Sequence, residues 1–364
     1  MKITVSVTND LVTDQRVHKV CTTLQEAGYE VKLVGRKFRD SLPVDRIYRT
    51  RRMRLFFNRS FWFYAEYNIR LFFYLLTDTS DIFLSNDTDS LPANYLASKI
   101  KRKKLVFDAH EMFPEVPEVI DRKFVKKCWT WIEDRIFPRL KYTYTVCQSI
   151  ADVYNEKYGI RMKVVRNIPI AQQNETITPA FDKGNKKIIL YQGAVNIGRG
   201  IEQLIDAMPY LEEDYLFYVI GDGDSLNDLR QKVRIMQLED RVIFTGRLSF
   251  NQLPAYTVCA DIGVNLLENR GLNYYFALPN RIFDYIRENI PILANDFPEV
   301  SRIISHYQVG RLIDNYEPEY LASVIREMVH EEKNETGFAL ANAELSWENE
   351  SRILLKIIQE ASNN

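Results

Sequence analysis

"YQGAVNIGRGIEQLIDAM", residues 191–208, is the stretch on which the fold turns. It closes the apolar run "KKIILYQG" with Gly193 and sets Gly198, Arg199 and Gly200 side by side. Ile201, Leu204, Ile205 and Met208 then fall on one helical face. A strand, a glycine-rich turn and an amphipathic helix make one βα unit. Backbone N–H groups at a helix start are unpaired and favour an anion; glycine lets a phosphate approach, and arginine grips it. The spacing is neither G-x-G-x-x-G nor the P-loop pattern, so a tight turn with a solvated arginine explains the same residues. Position separates the two readings, because this is the first βα turn of a second series of strands.

That second series runs "KKIILYQG", "YLFYVIGDGD", "RVIFTGR", "ADIGVNLL", "IPILAND" and "VGRLID". Each run is short and mostly apolar, as a parallel strand covered on both faces should be. The chain before it reads the same way. "KITVSVT", "YEVKLVG", "DIFLSND", "KKLVFDAHE", "YTYTVC" and "MKVVRNIP" are strands separated by helical patterns. The expectation is α/β: two tandem doubly wound, Rossmann-like domains facing a cleft. An N-terminal domain takes 1–166, a linker rich in Asn, Gln, Thr and Pro takes 167–185, and a C-terminal domain takes 186–340. Residues 341–364 form a helix that packs back toward the N-terminal domain.

At 364 residues the chain suits two cores rather than one. Its 46% hydrophobic content excludes a disordered chain. Four scattered cysteines without a C-x-x-C pair argue against a zinc site and a disulfide framework. The opening reads as a strand rather than a signal peptide, and no run has the roughly 18 apolar residues of a spanning helix. A cytoplasmic protein is expected. Residues 1–166 carry 30 Lys and Arg against 20 Asp and Glu, and residues 167–364 carry 18 against 29. Such a split fits two domains with different partners, or two halves that attract each other.

A second constellation lies in "ALPNRIFDYIRENIPILAND", 277–296. Pro279 suits a helix start, with Asn280, Arg281 and Asp284 in the first turn. A carboxylate there can accept two vicinal ribose hydroxyls and an arginine can meet phosphate; an i,i+3 ion pair is the plainer account.

Together these segments resemble the GT-B-fold glycosyltransferases of family four, retaining enzymes that use nucleotide sugars. The likeness runs through "DQRVHKVCTTLQEAGYEVKLVGR", "VFDAHE", "VVRNIP", "GAVNIGRG", "VIGDGD", "VIFTGRL", "LPNRIFDYIRENIPILAND" and "SWENESRILLKI". It implies a sugar nucleotide held by the C-terminal domain, with the turn at Gly193, Gly198 and Gly200. Arg199 would lie on the diphosphate, Asp284 on the ribose, and the base near Gly246 and Arg247. It implies His110, at the end of a strand, beside the donor sugar and the reacting bond, so His110 and Arg199 are the expected catalytic residues. Asn9, Asp10, Asp14, Arg16 and Glu111 are the expected acceptor-side residues. Domain closure would exclude water, and no protein nucleophile is expected.

Two departures stand out. The family carries an arginine directly after the turn glycine, where this chain has Ala194, and Arg281 is the expected substitute. Its E-x7-E pattern would begin at Phe276, which is not acidic; Glu268 or Asn273 could take over the sugar contact. The D-x-D sequences in "NDTD", 86–89, and "GDGD", 221–224, are read as turn and N-cap residues, so neither a metal nor a cofactor is expected.

"RTRRMRLFFNRSFWFYAEYNIRLFFYLL", 49–76, and "KFVKKCWTWIEDRIFPRLK", 123–141, mix cations with aromatic residues. They suggest basic helices at the anionic inner face of a membrane, or a core helix with a solvated basic face. No nucleic-acid module is present, and none is expected as partner. The activity implied is sugar transfer to a glycan or lipid-linked acceptor in cell-surface polysaccharide synthesis. A nucleotide-sugar epimerase on the same architecture and a non-catalytic sugar-nucleotide or glycan-binding protein are the alternatives.

Overall fold

The computed structural model describes residues 1–12, 14–170, 177–249 and 251–363. They form two compact units, one of 1–170 with 347–364 and one of 171–346.

The first unit is built on a seven-stranded parallel sheet. Its strands are β1 (Lys2–Asp10), β2 (Glu30–Lys37), β3 (Arg49–Arg54), β4 (Ile82–Asn86), β5 (Lys104–Ala109), β6 (Tyr142–Thr145) and β7 (Lys163–Val164). Their spatial order is β3-β2-β1-β4-β5-β6-β7. The order reverses between β1 and β4, and ligands of such sheets bind beyond the carboxyl ends of the strands at that point. Ile3, Val5, Leu84 and Val106 are fully buried between helical layers, which explains why these strands read as continuous apolar runs.

β3 corrects the reading of 49–76 as helical throughout, since the helix spans only Ser60–Thr77. The pattern "RTRRMR" hides a strand because β3 is the edge strand, where charged side chains reach water and discourage pairing with another chain.

The helix Trp347–Asn363 belongs to this unit and buries Leu354, Ile357 and Ile358 against its sheet. Each contributes about 2 kcal/mol of apolar burial. Trp347 Nε1 donates to Thr23 Oγ1 at 3.0 Å, and Glu350 accepts from Arg166 Nε at 2.8 Å. Residues 341–346, expected to start this helix, stay with the second unit instead. The helix Glu335–Glu344 buries Phe338 and Ala341 there, and the return begins at Trp347.

The second unit carries β8 (Lys187–Gln192), β9 (Tyr215–Ile220), β10 (Val242–Gly246), β11 (Ile262–Asn265), β12 (Ile292–Asn295) and β13 (Gly310–Ile313). All six runs read from the sequence are strands, in the parallel order β10-β9-β8-β11-β12-β13. This order reverses between β8 and β11, so the turn after β8 sits at the switch point.

Of the expected linker 167–185, residues 171–176 lie outside the described residues. The rest is not a free connection. Ile168 is buried in the first unit. Phe181 stacks on Tyr218 at 4.9 Å, and Lys183 pairs with Asp261 at 2.6 Å, both in the second unit.

Candidate functional site

In the first unit a charged network fills the carboxyl edge of the sheet. Asp108, next to last in β5, is fully buried and takes a two-point grip from Arg16: Nη2 to Oδ1 at 2.8 Å and Nε to Oδ2 at 3.0 Å. Arg16 Nη1 donates to the Val165 carbonyl at 2.9 Å. Such a pair is stable because burial is matched by geometry and further hydrogen bonds.

His110 stands between two carboxylates. Its Nε2 is 3.0 Å from Asp108 Oδ2, and its Nδ1 is 3.2 Å from Asp87 Oδ2. Its backbone N–H donates to Asp87 Oδ1 at 2.7 Å. Burial alone would push the imidazole down, but Asp87 and Asp108 outweigh it and hold His110 up at about 9. Burial likewise pushes Asp108 up, and Arg16 with His110 overrides it, holding the carboxyl at about 2. Asp87 and Asp89 are pushed up, chiefly by burial. His110 is therefore held as an imidazolium at neutral pH, with Nε2 hydrogen-bonded to Asp108 and Nδ1 in an ion pair with Asp87. It offers a fixed positive charge, not a base.

This network corrects two readings. Arg16, expected on the acceptor side, is 5% exposed and turned inward to Asp108. In "NDTD" Asn86 holds the N-cap position of the helix Asp87–Lys101 without a side-chain cap bond, and neither aspartate is the cap. Asp87, at φ 57°, orients His110, and Asp89 accepts a hydrogen bond from Thr8. The sequence signal for this role was available in the position of Asp87 after β4, the neighbour of β5.

Asn9 and Asp10 end β1, and Asp14 follows at the start of the next helix. Asn9 Nδ2 donates to Asp14 Oδ2 at 3.0 Å, while Asp14 Oδ1 accepts from the Val17 N–H at 3.0 Å and caps the helix Gln15–Glu26. Asp10 accepts from Ser41 and lies 3.5 Å from Arg52. Glu111 is exposed beside His110.

In the second unit the glycines of the opening stretch serve packing. Gly200, at φ 74°, caps the helix Ile201–Ala207, and a Cβ there would stand 2.1 Å from the Leu266 carbonyl oxygen. Gly198 lies against Arg270 and Tyr274 of the segment after β11. "GDGD" packs on the other side of the turn. A Cβ on Gly221 would stand 1.8 Å from the Gly193 carbonyl oxygen, and the Val195 N–H donates to the Asp222 carbonyl at 3.0 Å. Its helix, too, has no side-chain cap.

The cations remain. The Arg199 guanidinium lies 4.7 Å from the centre of the Tyr274 ring, and its buried Nε has no hydrogen-bond partner among the described residues. Arg281 is 6% exposed, lies 4.3 Å from the centre of the Tyr191 ring, and has an unpartnered buried Nη1. A Cβ on Gly193 would stand 3.7 Å from that guanidinium. Tyr191 is itself fixed by its hydroxyl, which donates to the Ala194 carbonyl at 2.5 Å. The two tyrosine platforms escaped the sequence reading, because each is an aromatic in an apolar segment.

Asp284, on the helix Asn280–Arg287, accepts from Gln192 Nε2 at 2.8 Å and lies 3.4 Å from Arg287. Carboxylate oxygens have lone pairs to spare beyond these bonds. Asn280 is exposed at the first position of that helix. Glu268 accepts from Gln203 at 3.0 Å, and its N–H donates to the Gly198 carbonyl at 3.0 Å, so it braces the turn. Gly246 ends β10 at φ 75° with open space beside it, and Arg247 is exposed. Among the described residues no three His, Cys, Asp or Glu side chains are grouped to hold a metal ion.

Comparison with known proteins bears on both units. Residues 14–169 match the family model described as Glycosyltransferase Family 4, and residues 173–343 match the one described as Glycosyl transferases group 1. The Alpha-monoglucosyldiacylglycerol synthase of Streptococcus pneumoniae is 27% identical over 161 residues, 42% of this chain and 35% of that protein. The matched part thus spans about a third of that relative's length. Among solved structures, the sucrose-phosphate synthase of Thermosynechococcus elongatus covers 99% of this chain and 98% of its own, at TM-score 0.80 and 16% identity. HepE of Anabaena, in complex with UDP and glucose, covers 99% of each chain at TM-score 0.74 and 14% identity. At those identities the structures speak for the fold. With both halves matched in order from residue 14 to residue 343, the chain belongs to the family-four glycosyltransferases of GT-B fold.

Proposed function

We propose that the chain transfers a sugar from a nucleotide-diphosphate sugar to a hydroxyl of a glycan or lipid-linked acceptor, with retention, in cell-surface polysaccharide synthesis. The observation that carries this reading is Arg281, a buried guanidinium beside Gly193 with Nη1 unpartnered among the described residues. A buried charge without a counter-ion is costly, and a diphosphate would supply the missing anion. Arg281 would thus replace the arginine that position 194 lacks.

Arg199, on its tyrosine, would take the same diphosphate from the other side of the turn. Charge grows on the leaving diphosphate as the bond to the sugar breaks, and cations already in place stabilise it without reorganising. Asp284 would accept the ribose hydroxyls, and the loop at Gly246 and Arg247 would hold the base. In the first unit His110, positioned by Asp87 and Asp108, would contribute a fixed positive charge to the transfer. The arginines meet the diphosphate charge, so transfer is expected to need no divalent metal.

A lipid-linked acceptor is supported by the pneumococcal relative, whose name is that of a diacylglycerol glucosylating enzyme. It is supported too by exposed Phe61, Trp62 and Phe73 on the helix Ser60–Thr77, and by Phe124 and Trp131 on the helix Lys123–Ile136. We place these at the inner face of a membrane. No described helix is long and apolar enough to cross one.

The test is a thermal-shift screen of UDP-, GDP- and ADP-sugars on the wild type, Arg281→Ala and Arg199→Ala. One donor should raise the melting temperature of the wild type and fail to do so in both variants. Stabilisation equal in all three proteins would defeat the reading.

A further inference from the structure

Beyond the carboxyl ends of β2 and β3 lies an open pocket of about 660 Å³. Lys37, Arg39, Arg54 and Arg59 line it against one acid, Asp40. Residues 36–59 as a whole carry nine Lys and Arg and two Asp. Its walls are anchored. The Phe38 N–H donates to Ser41 Oγ at 2.7 Å, and Ser41 donates to Asp10. Glu66 accepts the N–H groups of Phe56 and Phe57, each at 2.9 Å. Arg36 fills the gap between the rings of Phe38 and Phe63, 4.1 and 4.3 Å from their centres, with its buried Nε unpartnered among the described residues.

The rim is apolar as well as cationic. Phe56 is 84% exposed, Phe61 70% and Trp62 61%. Phe56 lines the pocket, and just beyond Arg59 the rings of Phe61 and Trp62 meet at 5.5 Å, with Phe57 6.0 Å from Trp62. This is an exposed aromatic cluster of the kind that marks an interaction surface. Cations above aromatics are the arrangement that suits a phosphate at the boundary between headgroups and acyl chains.

We propose that this pocket holds the phosphate of an anionic lipid, with Phe56, Phe61 and Trp62 entering the bilayer surface beside it, and that the acceptor is such a lipid. Only the last clause rests on the transfer reading. The pocket and His110 lie on the same edge of one parallel sheet, three to four strand spacings apart, roughly 14 to 19 Å. Asp10, between them, holds the pocket wall.

The experiment is co-sedimentation with vesicles of phosphatidylcholine, with and without phosphatidylglycerol, using the wild type, Arg39→Ala/Arg54→Ala/Arg59→Ala and Phe61→Ala/Trp62→Ala. The wild type should bind only the anionic vesicles. The triple variant should lose on the order of a hundredfold in affinity, and the aromatic pair should lose binding at equal charge. Binding that ignores phosphatidylglycerol would overturn the proposal. So would binding of soluble pyrophosphate at the pocket without vesicle binding, since a free phosphate ligand would then be the occupant. The donor-induced thermal shift is read on the same variants. If it persists while vesicle binding is lost, the pocket is separate from the donor site; if it is absent even in the wild type, the transfer reading fails and the lipid site stands.

Discussion

The guanidinium of Arg281 lies 4.3 Å from the centre of the Tyr191 ring and beside Gly193, although 90 residues of chain separate the two side chains. The strand that ends at Gln192 and the helix Asn280–Arg287 bring them together, and Gln192 ties the same helix through Asp284. A ring face holds a guanidinium in place without neutralising it, leaving its charge for a ligand.

Arg281→Lys should therefore behave almost as badly as Arg281→Ala. Lysine keeps the charge but loses the stacked fork that binds phosphate oxygens in pairs. Calorimetric titration with the donor should show a loss of about 2 to 3 kcal/mol for alanine and only partial recovery for lysine.

The His110 charge sets the pH response. Its folded-state value of about 9 lies above the ordinary 6.5, so its contribution to stability is complete below 6.5 and disappears as pH rises through about 9. Asp108, held at about 2 against 3.8, contributes fully above 3.8 and loses its share as pH falls through about 2. Transfer rate should stay level through neutrality and fall near pH 9, and His110→Asn should abolish that fall. A basic limb near 6.5 would show that His110 is not gripped as described.

Arg16 acts through Asp108. Arg16→Met strands a buried carboxylate and should cost about 3 to 5 kcal/mol in denaturant unfolding. Destabilisation alone would suit any core residue. The distinguishing readout is the His110 imidazole titration by NMR, which should shift in Arg16→Met and stay put in the surface variant Arg39→Ala.

Gly221→Ala tests the packing of "GDGD" on the turn. The new Cβ would meet the Gly193 carbonyl oxygen at 1.8 Å, and φ at 149° already disfavours a side chain. The backbone must move, at a cost of about 3 kcal/mol or more. Donor affinity should fall with stability, because Gly193 moves with it. Asp222→Ala and Asp224→Ala should do neither.

Much of this was legible in the residues. The second sheet could be read strand by strand, since buried parallel strands carry unbroken apolar runs whatever their neighbours are. Edge strand β3 could not, because water on one side lets arginine replace valine. Gly200 was legible as a turn residue, but its reason, the Leu266 carbonyl oxygen, lies 66 residues on. Asp87 was visible as half of a D-x-D pattern after a strand but not as the partner of His110, and Arg16 only as a polar residue after a strand.

The sequence by itself determined the two βα series, the family and the segments that hold the cations, because strand burial, helix periodicity and motif order are local properties. The tertiary structure alone decided which charges are spent and which are left over. Arg16 is consumed by Asp108 and His110 is held as a cation between two carboxylates, whereas Arg281 rests on an aromatic face. Whether a charge is neutralised depends on what surrounds it in space, and no spacing along the chain records that.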